Sequence, residues 1–224
     1  MTGRRSDLSA ILYLIRHCET KGNRVKTFQG RIDTDISEAG ELQLRYLARR
    51  FADVPLCAVY TSPLLRAYRT AEAVAAPHGL VPRIDERLIE IGGGEWEGKP
   101  WAELPELDPE QSRRWVKEPW SFCARGGEPM REVWARMREA ILAAGEASEG
   151  GSAALVSHGC AVRNGLCFAM GLPPERMNEV PWCDNTAVCR LEVTRGAVRV
   201  LYANDSSHLP EPPSPAERNS WWRG

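Results

Sequence analysis

The chain has 224 residues, 43% of them hydrophobic, and its 29 Lys and Arg against 30 Asp and Glu leave a formal net charge of -1. A chain of this length buries a full core without disulfides or metal and fits one domain. Its balanced charge excludes the phosphate attraction of a general nucleic-acid binder and a polybasic membrane anchor.

No run reaches the roughly 18 apolar residues of a membrane span, so no membrane partner is expected. Arg4-Arg5 and the apolar run after them imitate a signal peptide, but the run ends in Arg16-His17 with no small-residue cleavage site. Cys18, Cys57, Cys123, Cys160, Cys167, Cys183 and Cys189 are odd in number with no CxxC spacing, which predicts reduced, mostly buried thiols in a cytoplasmic protein.

Residues 10–15 (AILYLI) form the short apolar run of a strand buried on both faces. A loop over 16–36 follows. Ser37 is a predicted N-cap, after which Leu44, Leu47, Ala48 and Phe51 recur at helical spacing. A second strand is expected near 57–61. Ser62-Pro63 supplies a cap and a proline at the first helical position, with Leu64, Ala67, Tyr68, Ala71 and Ala75 along one face of the next helix.

Residues 83–85 read as a third strand, whereas 90–98 (EIGGGEWEG) are too rich in glycine for a regular element. Between 100 and 127 the chain is rich in Pro, Trp and charge with poor periodicity, which predicts an insertion over about 95–128. Five of the eight tryptophans, Trp96, Trp101, Trp115, Trp120 and Trp134, fall in one stretch of the middle third of the chain. Trp115, Trp120 and Trp134 are expected to form a satellite core, while Trp101, Trp115 and Phe122 are the alternative wall for an apolar part of a ligand.

Pro129 opens a long helix striped by Met130, Val133, Trp134, Met137, Ile141 and Ala144. A fourth strand over 153–157 meets the turn His158-Gly159 and a helix ending near Gly171. Residues 186–193 and 197–202, joined through Arg195-Gly196, read as a closing hairpin. Strands alternating with helices define an α/β domain over 1–209, followed by a Pro-rich tail, 210–224, read as flexible.

The chemistry-bearing residues fall at strand ends. Arg16-His17 closes the first strand, Arg66 lies just beyond the second, Glu90 follows the third and His158 closes the fourth. In open α/β sheets, loops beyond the carboxyl ends of the strands build the ligand site. Two guanidiniums suit a phosphate dianion, a histidine beside them is driven neutral and nucleophilic, and a carboxyl can protonate an alkoxide leaving group. Each residue alone would more often be structural; the ordered set carries the argument.

LIRHCETKGN, SPLLRAYRTAE, LIEIGGGEWEG and VSHG, in this order from about residue 10 to 205, resemble the four signatures of the histidine phosphatase superfamily, which includes cofactor-dependent phosphoglycerate mutases and many small phosphatases. The resemblance implies a three-layer α/β/α sandwich with a mostly parallel mixed central sheet and a cap inserted between the third and fourth core strands. It makes His17 the phospho-accepting histidine, Arg16 and Arg66 the phosphate-pocket arginines, Glu90 the acid/base and His158 the second pocket histidine. Asn23, Gln29, Gly30 and Gly159 join them as substrate-binding positions.

Two positions depart from the pattern. Cys18 replaces the usual Gly, where a side chain is expected to crowd the pocket or present a thiol to it, and Cys160 replaces the Asn that mutases carry after His158-Gly159. The segment between Glu90 and His158 is short and rich in Trp, and it includes Gly126-Gly127-Glu128-Pro129. These features resemble the phosphatase branch and imply an acid-type histidine phosphatase that hydrolyses a small phosphomonoester, releases inorganic phosphate and needs no cofactor or metal. The Arg113-Arg114 pair keeps phosphoglycerate mutase-type transfer as the alternative. A non-catalytic phospho-ligand binder and a zinc site built from His158, Cys160 and Cys167 rank lower, the latter for its poor spacing. A homodimer is left open.

Overall fold

In the computed structural model, residues 8–211 are described. Arg4-Arg5 and nearly all of the tail, residues 212–224, lie outside the described residues.

The elements run β1 (Ala10–Arg16), α1 (Lys21–Arg24), α2 (Glu38–Phe51), β2 (Ala58–Thr61), α3 (Leu65–Ala75), β3 (Arg83–Ile84), α4 (Leu104–Leu107), α5 (Pro109–Lys117), α6 (Met130–Ala147), β4 (Ser152–Ser157), α7 (Gly159–Ala169), β5 (Val188–Thr194) and β6 (Ala197–Asp205). The strands form one sheet in the order β3-β2-β4-β1-β5-β6. β1 to β4 are mutually parallel, and β5 enters antiparallel to both β1 and β6. Arg195 and Gly196 both take positive φ between β5 and β6, the twist that a two-residue hairpin turn requires.

β1 sorts its side chains by parity. Leu12 and Leu14 pack with Met137, Ile141, Leu166 and Ala161 of α6 and α7 on one face. Ile15 packs with Leu47, Phe51, Ala67 and Val74 of α2 and α3 on the other. The sheet is therefore covered on both sides, which is why its central strands read as continuous apolar runs. Each fully buried Leu or Ile contributes about 1.5–3 kcal/mol by leaving water.

Ser37 caps α2 as expected, its hydroxyl accepting from the Gly40 N–H at 3.0 Å. α3 differs. It begins at Leu65 rather than at Pro63, and Ser62 Oγ accepts at 3.3 Å from the N–H of Leu64, the residue before the first turn, rather than from an N–H of the helix itself. The Leu65 N–H is met instead by Asp33 Oδ1 at 2.9 Å, a partner delivered by the preceding loop. Ser62 Oγ also meets His158 Nε2.

The long segment between β3 and β4 starts as irregular chain and short helical turns and includes α4, α5 and α6. Its aromatic residues do not form the expected satellite core. Trp96, Trp115 and Phe122 belong to the main core with Phe28, Trp120 lies under Arg131 at 4.7 Å, and Trp134 meets Phe168 edge-on at 5.8 Å. All seven cysteines are free thiols, five of them buried. No helix among the described residues is long and apolar enough to cross a membrane.

Candidate active site

The register of the two central strands assembles the site. Arg16 of β1 stands opposite Ser157 of β4, and the His17 N–H donates to the Ser157 carbonyl at 2.9 Å. The residues that follow, His17 and His158, are thereby brought together with ring centroids 5.1 Å apart. Asn185 and Thr186 brace this strand end from the far side, Asn185 Nδ2 donating to the His17 carbonyl at 2.9 Å and the Thr186 N–H to that of Arg16 at 3.0 Å.

His17 is buried, and its Nδ1 lies 2.6 Å from the Cys18 carbonyl. A carbonyl only accepts, so Nδ1 carries the proton and the lone pair of the neutral ring sits on Nε2. Burial, followed by the Arg66 and Arg16 guanidiniums, pushes this imidazole well below its usual pKa range and outweighs the opposing Cys18 hydrogen bond. His17 is a neutral imidazole beside two cations.

Arg16 is anchored by Nη1 to the Cys183 carbonyl at 2.6 Å. Arg66 is almost wholly buried; Nη1 and Nη2 hold the Ile32 and Gly30 carbonyls at 2.8 Å each, and Nε donates to His158 Nδ1 at 3.2 Å. Because His158 Nδ1 accepts, its Nε2 is the protonated nitrogen and donates to Ser62 Oγ at 2.7 Å. His158 thus lies behind the cleft wall, bonded to Arg66 and Ser62, and its burial followed by Arg66 keeps it neutral.

Glu90 has no strand to hold it. Its Oε1 accepts from the Ile91 and Ala161 N–H groups at 2.9 and 3.1 Å, and its Oε2 from the Cys160 N–H at 3.1 Å. The last two are N–H groups in the first turn of α7, which have no acceptor within the helix, and they fix where the carboxyl sits.

Arg16, His17, Asn23, Gln29, Gly30, Arg66, Glu90 and Gly159 line one cleft, together with Cys160, Lys26, Phe28, Trp101, Trp115 and Trp182. Asn23 and Thr20 form a reciprocal cap that starts α1, with the Thr20 N–H on Asn23 Oδ1 at 3.1 Å. Gln29 Oε1 accepts from the Thr20 and Thr34 hydroxyls. With both amide oxygens engaged, Asn23 and Gln29 keep their amino groups as donors for an anion. Gly30 has φ +52°, and a Cβ there would strike the Glu97 carboxylate, so glycine is required where the loop turns under Arg66.

Two expectations are corrected here. Cys18 neither crowds the cleft nor presents a thiol to it; its side chain is fully buried away from the cleft wall, and burial pushes the thiol up to about 11. Its backbone N–H donates to Thr70 Oγ1 at 3.0 Å. Phe122 is buried behind the aromatic wall and does not line the cleft, whereas Trp101 and Trp115 do. Among the described residues, no three His, Cys, Asp or Glu come together to hold a metal ion.

Sequence reasoning overlooked Trp182, Lys26 and the pairing of Ser62 with His158. Trp182 stacks on Trp115 at 5.8 Å and lies under Arg163 at 4.7 Å. Arg163 in turn holds the Val180 and Met177 carbonyls at 2.9 and 3.0 Å, which fixes the segment leading to Trp182. No periodic signal marks that segment, so only the fold could reveal its place.

A strand-end histidine, two buried arginines and a carboxylate around one cleft are the features of a phosphoryl-transfer site on an α/β sheet. The family model described as histidine phosphatase superfamily (branch 1) matches residues 12–206, and the chain belongs to this superfamily. Phosphoserine phosphatase 1 of Hydrogenobacter thermophilus is 32% identical over 203 residues, spanning 89% of this chain and 94% of that protein. A probable phosphoglycerate mutase of Yersinia enterocolitica is 33% identical over 210 residues, spanning 90% and 95% of the two chains. Among solved structures, Bacillus stearothermophilus YhfR superposes with a TM-score of 0.84 at 33% identity, covering 89% of this chain and 98% of that one. A mycobacterial glucosyl-3-phosphoglycerate phosphatase in complex with VO3 superposes with a TM-score of 0.80 at 28% identity, covering 88% and 99%.

Proposed function

We propose that the chain is a phosphomonoester hydrolase that works through a phosphohistidine intermediate on a small phosphorylated metabolite. The observation that carries this reading is the neutral His17, with its Nε2 lone pair free and two guanidiniums beside it, on the same cleft as the Glu90 carboxyl. His17 Nε2 attacks phosphorus in line; the bond to the leaving oxygen breaks as Glu90 protonates that oxygen. Arg16 and Arg66 hold the phosphoryl oxygens, Asn23 and Gln29 add amide donors, and His158 orients Arg66. Glu90 then takes a proton from water, which attacks phospho-His17 and releases inorganic phosphate.

Hydrolysis is favoured over mutase-type transfer by where the insertion's cations go. Arg113, Arg114 and Arg125 pair with Glu118, Glu110 and Glu95, and none of them lines the cleft. Beyond Arg16 and Arg66, Lys26 is the one cation among the lining residues, a sparse set for holding a phosphorylated acid through a second transfer. The same reading makes the enzyme cytoplasmic and metal-independent, with residues of about 95–128 acting as the cap over the cleft. Incubation with 3-phosphoglycerate tests it: inorganic phosphate should appear faster than 2-phosphoglycerate, and the reverse order overturns hydrolysis in favour of the mutase. A phosphate-release screen across a metabolite panel then finds the substrate.

A further inference from the structure

The segment that carries Glu90 is held in an unusual way. Residues 87–92 belong to no strand, yet four successive backbone carbonyls are bound by side chains from elsewhere in the chain. Arg136 Nη1 donates to the carbonyls of Arg87, at 2.8 Å, and Ile89, at 2.5 Å. Ser157 Oγ donates to that of Leu88 at 2.6 Å, and Arg31 Nε reaches that of Glu90 at 3.4 Å. Arg66 and Arg163 each hold two carbonyls in the same way, but neither binds a run of successive ones. Here a guanidinium replaces the missing strand partner.

Arg136 is itself fixed. Its Nε and Nη2 form a two-pronged pair with Glu128 Oε1 and Oε2 at 2.8 and 2.9 Å, and the two side chains are only 14% and 11% exposed. Glu128 also accepts from the Gly92 N–H at 3.3 Å and from Arg31 Nη2 at 3.1 Å, while its own N–H donates to the Gly92 carbonyl at 2.7 Å. Burial opposes ionisation of Glu128, but the hydrogen bonds and charge of Arg136 outweigh it and hold the carboxyl below the usual range. A planar fork with five donors can bind a carboxylate edge and two carbonyls at once, which an ammonium cannot. Both residues thus spend their polar groups on the Glu90 segment.

We propose that Arg136, locked by Glu128, is a positioning residue that sets where Glu90 stands over the cleft. The helix α7 N-terminus holds the Glu90 carboxyl, and Arg136 and Arg31 hold its backbone. This inference rests on the reading of Glu90 as the proton donor. A displacement of about 1 Å in a reacting group costs on the order of 10²-fold in rate. Loosening the clamp should therefore act where proton donation matters and leave the phosphate pocket intact.

The test compares Arg136→Met and Arg136→Lys with Glu90→Gln on two substrates, glycerol 3-phosphate and p-nitrophenyl phosphate. The alkoxide of the first needs protonation, whereas the phenolate of the second leaves with little help. Arg136→Met should lower kcat/KM, which reports enzyme phosphorylation and not the later hydrolysis common to both substrates, by about 10²-fold on the alkyl phosphate, with a loss on the aryl phosphate about tenfold smaller and the inhibition constant of inorganic phosphate unchanged. Arg136→Lys, which keeps the charge without the fork, should recover part of that loss. Equal losses on both substrates, no loss, or a weakened phosphate inhibition constant would overturn the proposal. If Arg136→Met lacks a cooperative thermal transition, Glu128→Gln replaces it and should show a smaller loss with the same preference for the alkyl substrate. An alkyl-selective Glu90→Gln beside a non-selective Arg136→Met overturns only the clamp. A Glu90→Gln whose kcat/KM falls equally on both substrates removes the acid role on which it rests.

Discussion

The Nδ1 of His17 lies 2.6 Å from the carbonyl oxygen of Cys18, the residue next to it in the chain. One short hydrogen bond to a backbone acceptor decides which ring nitrogen carries the lone pair, and the two neighbouring guanidiniums add to burial in keeping the ring unprotonated. His17→Ala removes the nucleophile and should lower phosphate release by more than about 10³-fold on any monoester. Steady-state phosphate assays on p-nitrophenyl phosphate check this, and retention of turnover within tenfold would sink the phosphohistidine route.

The proposed mechanism gives Glu90 a part in two half-reactions, and an aryl substrate separates them. With p-nitrophenyl phosphate, Glu90→Gln should still be phosphorylated but should lose water activation, so that p-nitrophenol appears as a burst of about one equivalent followed by a slow steady state. Rapid-quench measurements should trap an acid-labile phosphoenzyme. A variant with no burst and no phosphoenzyme would show that Glu90 does not act in the second step.

Buried histidines couple stability to pH. His17 and His158 are held well below the ordinary histidine value, and His208 is lowered to about 4 by burial and then by Arg50. The unfolded chain binds these protons near pH 6.5 while the folded chain refuses them. Their contribution is therefore fully present above pH 6.5 and is lost as pH falls toward the folded values. The Tm should drop steadily between pH 6.5 and 4, and His208→Asn should flatten part of that slope in a pH series of thermal unfolding. A Tm independent of pH in this window would contradict the burial of neutral imidazoles.

Asp33 acts at a distance on α3. It caps the Leu65 N–H at 2.9 Å and lies 3.8 Å from Arg66 Nη1. Asp33→Ala should cost about 1 kcal/mol in urea unfolding, the usual value of a lost N-cap. Because Arg66 borders the cleft, the substitution should also raise KM more than it lowers kcat. A kcat loss with unchanged KM would separate Asp33 from the phosphate pocket.

Cys18 occupies the place of a familiar glycine without lining the cleft. Cys18→Gly should leave kcat/KM within about twofold, yet destabilise the protein by about 1 kcal/mol or more through lost burial and added backbone freedom. A large gain in activity would mean that the thiol obstructs the site after all.

Much of the fold was legible in the chain. The run AILYLI, the repeat through Leu44, Leu47 and Phe51, and the left-handed pair Arg195-Gly196 are local signals with one dominant physical cause each, and strand, helix and hairpin form where they predict. The candidate residues His17, His158, Arg66 and Glu90 could be singled out in the chain because each lies at a strand end or a short distance beyond it. The start of α3 was not, since its cap is Asp33 rather than the adjacent Ser62.

The sequence by itself determined the alternation of strands and helices, the order of the chemical residues and, through four ordered motifs, the family. Tertiary structure alone decided that Cys18 points away from the cleft, that Ser62 serves His158, that Trp182 joins the aromatic wall and that Arg136 grips the Glu90 segment. The physical reason is range. Propensity and periodicity act over a few residues, whereas a guanidinium meeting carbonyls 47 and 49 positions away depends on how α6 packs beside an irregular loop.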